Sequence, residues 1–303
     1  MNEKRIVKPS KDAIGRVNFF VLLPIAFVKS ASVADNSPKE GETAMIFAKS
    51  FATVRPDRFV GKLFNGHTYA RTDYLGDNTS HRDTPQALLV EQSANSVIPP
   101  HFHGINQYQV VVKGGGMLGK HRVAPVCIHY ANAYTGYGPL NAEDEGIYYF
   151  TLRAQSEPGA FFFPEGRKFQ QPNERRNLTA DVAILPDDSA LKSMDAIEQE
   201  VVFLLEDEGL AAWNLRMGPN MEFTGPDPAT GGGQYYVVMN GDLIHDGETY
   251  EKWSCVFVEP PEEGLDIQAG PAGLEVLILQ YPFWEKGTTL VSDAPLYAED
   301  RVD

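Results

Sequence analysis

The sequence predicts an all-β chain built from two tandem units of one plan. Short apolar runs are punctuated by turn residues, and one such block recurs later in the chain. Gly 27 and Pro 21 supply the many turns that short strands require. The 303 residues accommodate one large domain or two smaller ones.

Composition narrows the function classes. A hydrophobic fraction of 43% with 22% charged residues is that of a globular chain, not a disordered one. Asp+Glu 41 against Lys+Arg 26 gives a formal charge of −15. An acidic excess spread along the chain argues against a nucleic-acid surface, which needs clustered Lys and Arg. Two cysteines exclude a disulfide scaffold and a Cys-rich zinc module.

The element order begins with an N-terminal segment, residues 1–44. Val17 to Val28 is the only long apolar run, too short for a bilayer, which needs about 20 residues. Lys4, Arg5, Lys8, Lys11 and Arg16 precede it, and the small residues Ser30 to Ala34 follow. That order matches an export signal cleaved near Ala34. A buried first strand fits equally well, because Glu3 and Asp12 dilute the basic region and Pro24 interrupts the run. Exported (periplasmic) and cytoplasmic locations are therefore equal expectations, and no integral membrane segment is expected.

Strands are expected at Gln86–Glu91, Gln107–Lys113, Val126–Ala131, Gly146–Arg153, Val201–Leu205, Gln234–Met239, Cys255–Val258 and Leu274–Gln280. A helix is expected near Ser189 to Glu200, after Pro186-Asp187-Asp188. Gln107-Tyr108-Gln109-Val110-Val111 parallels Gln234-Tyr235-Tyr236-Val237-Val238, 127 residues on. Further along, Val126-Cys127-Ile128 parallels Ser254-Cys255-Val256, which sets the two cysteines at matching positions. Such a separation is a domain-sized duplication rather than a solenoid period. The expected boundaries are a first barrel at 45–165, a partly helical linker at 166–200, a second barrel at 201–290 and a tail at 291–303.

Chemistry points to Pro99-Pro100-His101-Phe102-His103-Gly104. Residues i and i+2 of a strand face the same side, so the two imidazoles would converge. Convergent imidazoles suit Fe, Mn, Ni, Cu or Zn as divalent ions. Gln107 follows four residues on, and Gly114 after that. This pattern resembles the first motif of the cupin superfamily, in which His-x-His is followed at these spacings by Glu and Gly. Weaker similarity extends over both repeats, roughly 45–285, so the chain resembles a bicupin. The resemblance implies two double-stranded β-helix barrels of jelly-roll type, with a metal cavity in one or both. It also implies a small-molecule substrate and association into homo-oligomers.

The departures from the motif matter. Gln107 offers a neutral carbonyl oxygen where the cupin motif has a carboxylate, either as a ligand or as a hydrogen-bonding partner that orients a histidine. The third histidine expected from a second motif is missing: Tyr137 and Leu265 stand at its positions. His129, Tyr137 and His121 are the candidates to replace it. His129 serves as a ligand if it faces inward and is a core histidine otherwise. Tyr137 is a weak ligand or a proton donor, and His121 beside Arg122 has the look of a surface residue. Period-2 alternation puts Gln109 inward with Gln107. An inward Arg153 would bind a substrate carboxylate in bidentate fashion; an outward one is a solvated charge. In the second unit Pro228 and Thr230 replace the two histidines, so that barrel is expected to be degenerate.

Other chemistries lack their signatures: no phosphate-binding Gly-Lys-Ser/Thr loop, no nucleophile elbow and no His-Glu-x-x-His. Two functions are left. One is a metal-dependent cupin enzyme, an oxidoreductase of non-haem Fe(II) dioxygenase type acting on a small organic substrate. The other is a non-catalytic bicupin that binds small molecules.

Overall fold

The computed structural model describes residues 45–76, 84–157, 159–284 and 300–301. The export-signal expectation for residues 1–34 lies outside them. Among the described residues the regular structure is mostly antiparallel β, with one α-helical turn at Phe51–Val54 and short 3-10 segments. No described helix is long and apolar enough to cross a membrane.

Two sheets share one strand order. In the first, Asn177–Asp181, Cys127–Ala131, Gln107–Leu118, Leu140–Arg153, Gln86–Gln92 and Thr68–Leu75 lie side by side. The second sets Ile46–Lys49, Cys255–Val258, Gln234–His245, Asp266–Gln280, Ala211–Met217 and Glu198–Phe203 in the same sequence of roles. Two edge strands cross the expected boundaries, one from the first-barrel stretch and one from the linker. Ile46–Lys49 pairs with Cys255–Val258, and Asn177–Asp181, from the expected linker, pairs with Cys127–Ala131.

Register turns alternation into two surfaces. On one face Tyr108, Val110, Ile128, Tyr130, Phe150 and Leu152 meet Tyr235, Val237, Phe257, Leu277 and Leu279 in a single core shared by both sheets. On the other face Leu88, Val90, Val111, Cys127 and Tyr149 fill the first barrel. Leu215, Tyr236, Val238, Val256 and Ile278 fill the second. The shared core is cross-tied by polar contacts. The Tyr108 hydroxyl lies 3.0 Å from the Ala211 carbonyl and 3.1 Å from the Gln280 carbonyl, and Tyr235 donates to the Arg153 carbonyl at 3.0 Å. Arg153 and Gln280 are equivalents, since the Leu152–Tyr108 and Leu279–Tyr235 pairs match.

The motif glycine has a steric reason. Gly114 has φ +71°, and a Cβ there would stand 2.0 Å from the Gly146 carbonyl oxygen. Gly241 repeats this, with φ +66° and the same 2.0 Å approach to the Gly273 oxygen.

Two expectations are corrected. In place of a helix at 189–200 the chain forms one 3-10 turn, Leu191–Ser193, and then the strand Glu198–Phe203. Backbone pairing with Ala211–Met217 overrides the helix propensity of that segment. The two cysteines are also not equivalent. Gln107 pairs with Ala131 and Gln234 with Val258, so Cys127 matches Ser254. A one-residue slip reverses the face: Cys127 lines the first barrel and Cys255 sits in the shared core.

Candidate functional site

His101 sits on a two-residue strand, His101–Phe102, paired with Phe161–Phe162. Phe102 and Phe161 stack at 4.8 Å between centroids, and Phe163 N–H donates to the Pro100 carbonyl at 2.9 Å. A reciprocal backbone bridge joins His101 to Tyr137. The aromatic run Phe161-Phe162-Phe163 therefore clamps the His-x-His segment across the mouth of the first barrel.

The side chains form a directional chain of hydrogen bonds. His101 Nδ1 lies 2.8 Å from the Pro99 carbonyl, which can only accept, so Nδ1 carries the proton and Nε2 is a lone pair. Tyr137 donates to that Nε2 at 3.0 Å. Gln107 Nε2 donates to the Tyr137 oxygen at 2.6 Å. Gln107 Oε1 accepts from Arg153 Nε at 2.9 Å and Nη2 at 2.7 Å. Arg153 Nη1 donates to Gln86 Oε1.

His103 is held between opposite charges. Its Nδ1 bonds the Glu157 carboxylate, which also accepts from Gly104 N–H at 2.7 Å. Arg153 Nη2 lies against the same ring, 3.1 Å from His103 Nδ1 and 3.2 Å from Nε2. His101, His103, Gln107, Arg153, Glu157 and Gln86 are all buried.

Burial also sets protonation. The His101 imidazole is pushed down to about 3 by desolvation and by its neighbour His103. Burial, with Arg153 alongside, holds His103 well below its ordinary value. Both rings are neutral at pH 7. The Tyr137 phenol is raised by burial against the opposing pull of Arg153 and Gln107, so it is a neutral donor.

His129 faces the same interior, since Gln109 pairs with it across the sheet. Gln109 itself is buried. The His129 ring lies 5.4 Å from that of Tyr137, and its Nδ1 meets the Thr179 hydroxyl at 2.9 Å. Its Nε2 is buried without a partner. Burial pushes this imidazole down to about 4, with His121 adding to the effect. His129, Tyr137 and Thr179 open onto a cleft of about 360 Å³, with Lys120, His121 and Asn177 also on its wall.

The structure thus gathers His101, His103, Gln107, Tyr137 and Arg153 into one hydrogen-bonded cluster. It sets His129 beside Tyr137, and leaves His121 exposed on the cleft wall. Sequence reasoning missed Glu157 and Gln86. Glu157 follows the end of a strand and reaches His103 through the fold, with no local pattern to mark it.

A divalent cation does not fit this donor set as arranged. Two neutral imidazoles, an amide oxygen and a phenol supply no anionic ligand, and the permanent charge of Arg153 already fills the space between His103 and Gln107. Among the described residues no group of three His, Cys, Asp or Glu is placed to hold a metal.

No family model matches the sequence, and no curated protein matches it. Solved structures do. A candidate dioxygenase from Nostoc punctiforme is 14% identical, with 85% of this chain and 90% of that one covered at a TM-score of 0.57. The bacterial pirin YhhW of Escherichia coli, in complex with nickel(II), is 12% identical. There the coverage is 78% of this chain and 99% of that one, at a TM-score of 0.51. Together with the matched strand orders, these similarities establish the cupin fold in duplicate.

Proposed function

We propose that this chain, a bicupin by fold, binds a small organic anion in its first barrel, in the cleft over Tyr137 and His129. The unpartnered Nε2 of His129 carries the reading. A buried polar nitrogen left unsatisfied costs about 1–3 kcal/mol, which a ligand atom would recover. Lys120 and His121 stand on the wall, and neither Asp nor Glu lines it. In a chain of formal charge −15, that is a local place for an anion to be drawn in.

The test is NMR titration of the histidine rings with benzoate and its neutral isostere benzamide. Benzoate is expected to shift His129 and to bind at least about tenfold tighter than benzamide. Lys120→Met should erase that preference. Equal or tighter binding of benzamide overturns the anion reading, and no perturbation of His129 by either probe overturns the cleft itself.

A second reading has its own observation. His101 and His103 each commit Nδ1 to an oxygen acceptor and leave Nε2 as the lone-pair nitrogen, a tautomer that metal-ligating histidines use. On this reading the chain is a metal-dependent oxidoreductase, an Fe(II) dioxygenase acting on a small organic substrate. It requires the Arg153 side chain to withdraw from Gln107 and His103. Elemental analysis of protein purified with Fe, Mn, Ni, Cu and Zn supplied, followed by oxygen uptake, tests it; metal-free protein ends it.

A further inference from the structure

We infer that Arg153 is the resident cation of the first barrel: its guanidinium stands between the His103 ring and the oxygen of Gln107, and the site is complete without a metal ion. Three of its nitrogens are spoken for. Nε and Nη2 bond Gln107 Oε1 at 2.9 and 2.7 Å, Nη2 also lies 3.1 and 3.2 Å from Nδ1 and Nε2 of the His103 ring, and Nη1 bonds Gln86. A dication there would face a full positive charge at contact distance in a buried setting, where Coulomb repulsion is strong.

The identity of residue 107 follows from the same arrangement. Its amide accepts from Arg153 at one end and donates to Tyr137 at the other. An ionised carboxylate has no proton for Tyr137, so glutamine is the residue the network needs. The second barrel repeats the device without charge. Gln234 takes the place of Gln107 and donates to Gln280, the equivalent of Arg153, at 2.7 Å. Tyr236 donates to Gln234 at 3.0 Å. Both barrels therefore use this glutamine as a hydrogen-bonding bridge, and only the first gives it a cationic partner.

The test is metal binding by the full chain. Wild-type protein incubated with Fe(II), Mn(II), Ni(II), Cu(II) or Zn(II) and desalted is expected to retain less than about a tenth of an equivalent. Its melting temperature should not move with Ni(II) or with EDTA. Arg153→Ala combined with Gln107→Glu frees the space and adds an anionic ligand. That variant should bind Co(II) with visible absorption bands and Ni(II) at least about tenfold tighter than wild type. Adding His101→Ala should abolish the gain.

Near-stoichiometric metal in the wild type, lost on His101→Ala, overturns the inference, and so does a folded double variant with unchanged affinity. If the double variant does not fold, the wild-type measurements decide alone. The outcome is separable from ligand binding in the cleft, which is read at His129.

Discussion

The two barrel interiors are one design carried to different ends. In the first, Gln107 joins Arg153 and Tyr137; in the second, Gln234 joins Gln280 and Tyr236. Gln109 and its cross-strand partner His129 line the first interior, whereas Tyr236 and Val256 occupy those places in the second. Pro228 and Thr230, which replace the histidines, form a 3-10 turn, and the Thr230 hydroxyl rests 3.3 Å from Gln280 Oε1. A handful of residues thus turns a neutral interior into one with a charge, neutral imidazoles and an unsatisfied nitrogen, on an unchanged strand plan.

Removing the arginine should break the comparison hardest. Arg153→Met leaves Gln107, Gln86 and His103 without their donor and is expected to cost about 3–5 kcal/mol by denaturant unfolding. The matching Gln280→Met breaks neutral bonds only and should cost about 1–3 kcal/mol. Equal losses would show that the charge has no special role.

Acid should separate the barrels next. In the folded protein His101, His103 and His129 all lie below the usual 6.5, whereas the unfolded chain takes up their protons near that value. Between about pH 6.5 and 3 the unfolded state therefore binds more protons, so stability rises with pH and is lost as pH falls. Above pH 6.5 these rings contribute no slope. Melting temperatures at pH 7 and pH 4.5 should fall less for His101→Gln/His103→Gln than for wild type. An unaltered pH dependence would place the sensitivity elsewhere.

Two smaller effects sharpen the picture. Tyr108→Phe and Tyr235→Phe should each cost about 0.5–1.5 kcal/mol and cost alike, because each hydroxyl donates its one proton to a carbonyl of the other unit. A clear inequality would show that the two halves lean on each other unevenly. Thr179→Val removes the Nδ1 partner of His129 and should cost about 1 kcal/mol, with a weaker benzoate response at His129.

How legible this was depended on how local each signal is. Alternation along Gln107-Tyr108-Gln109 placed both glutamines on the interior face, and the motif spacing located Gly114 and the aligned Tyr137. The facing of Arg153 could not be read from its own strand, because Gly146–Arg153 carries bulky groups on both sides. Only the register beside Gln107 settles it. Glu157 and Gln86 join the cluster through tertiary packing and leave no trace at short range. The expected helix at 189–200 failed for the same reason: partner strands, not local propensity, decide that stretch.

The crossed tyrosines carry a consequence for the chain as a whole. The carbonyl that steadies residue 153 is gripped by a hydroxyl from the duplicate half, and the favour is returned at residue 280. Severing the halves would uncover apolar surface on both and slacken the main chain under the guanidinium. Each copy thus braces the other, and the pair should melt in a single cooperative step.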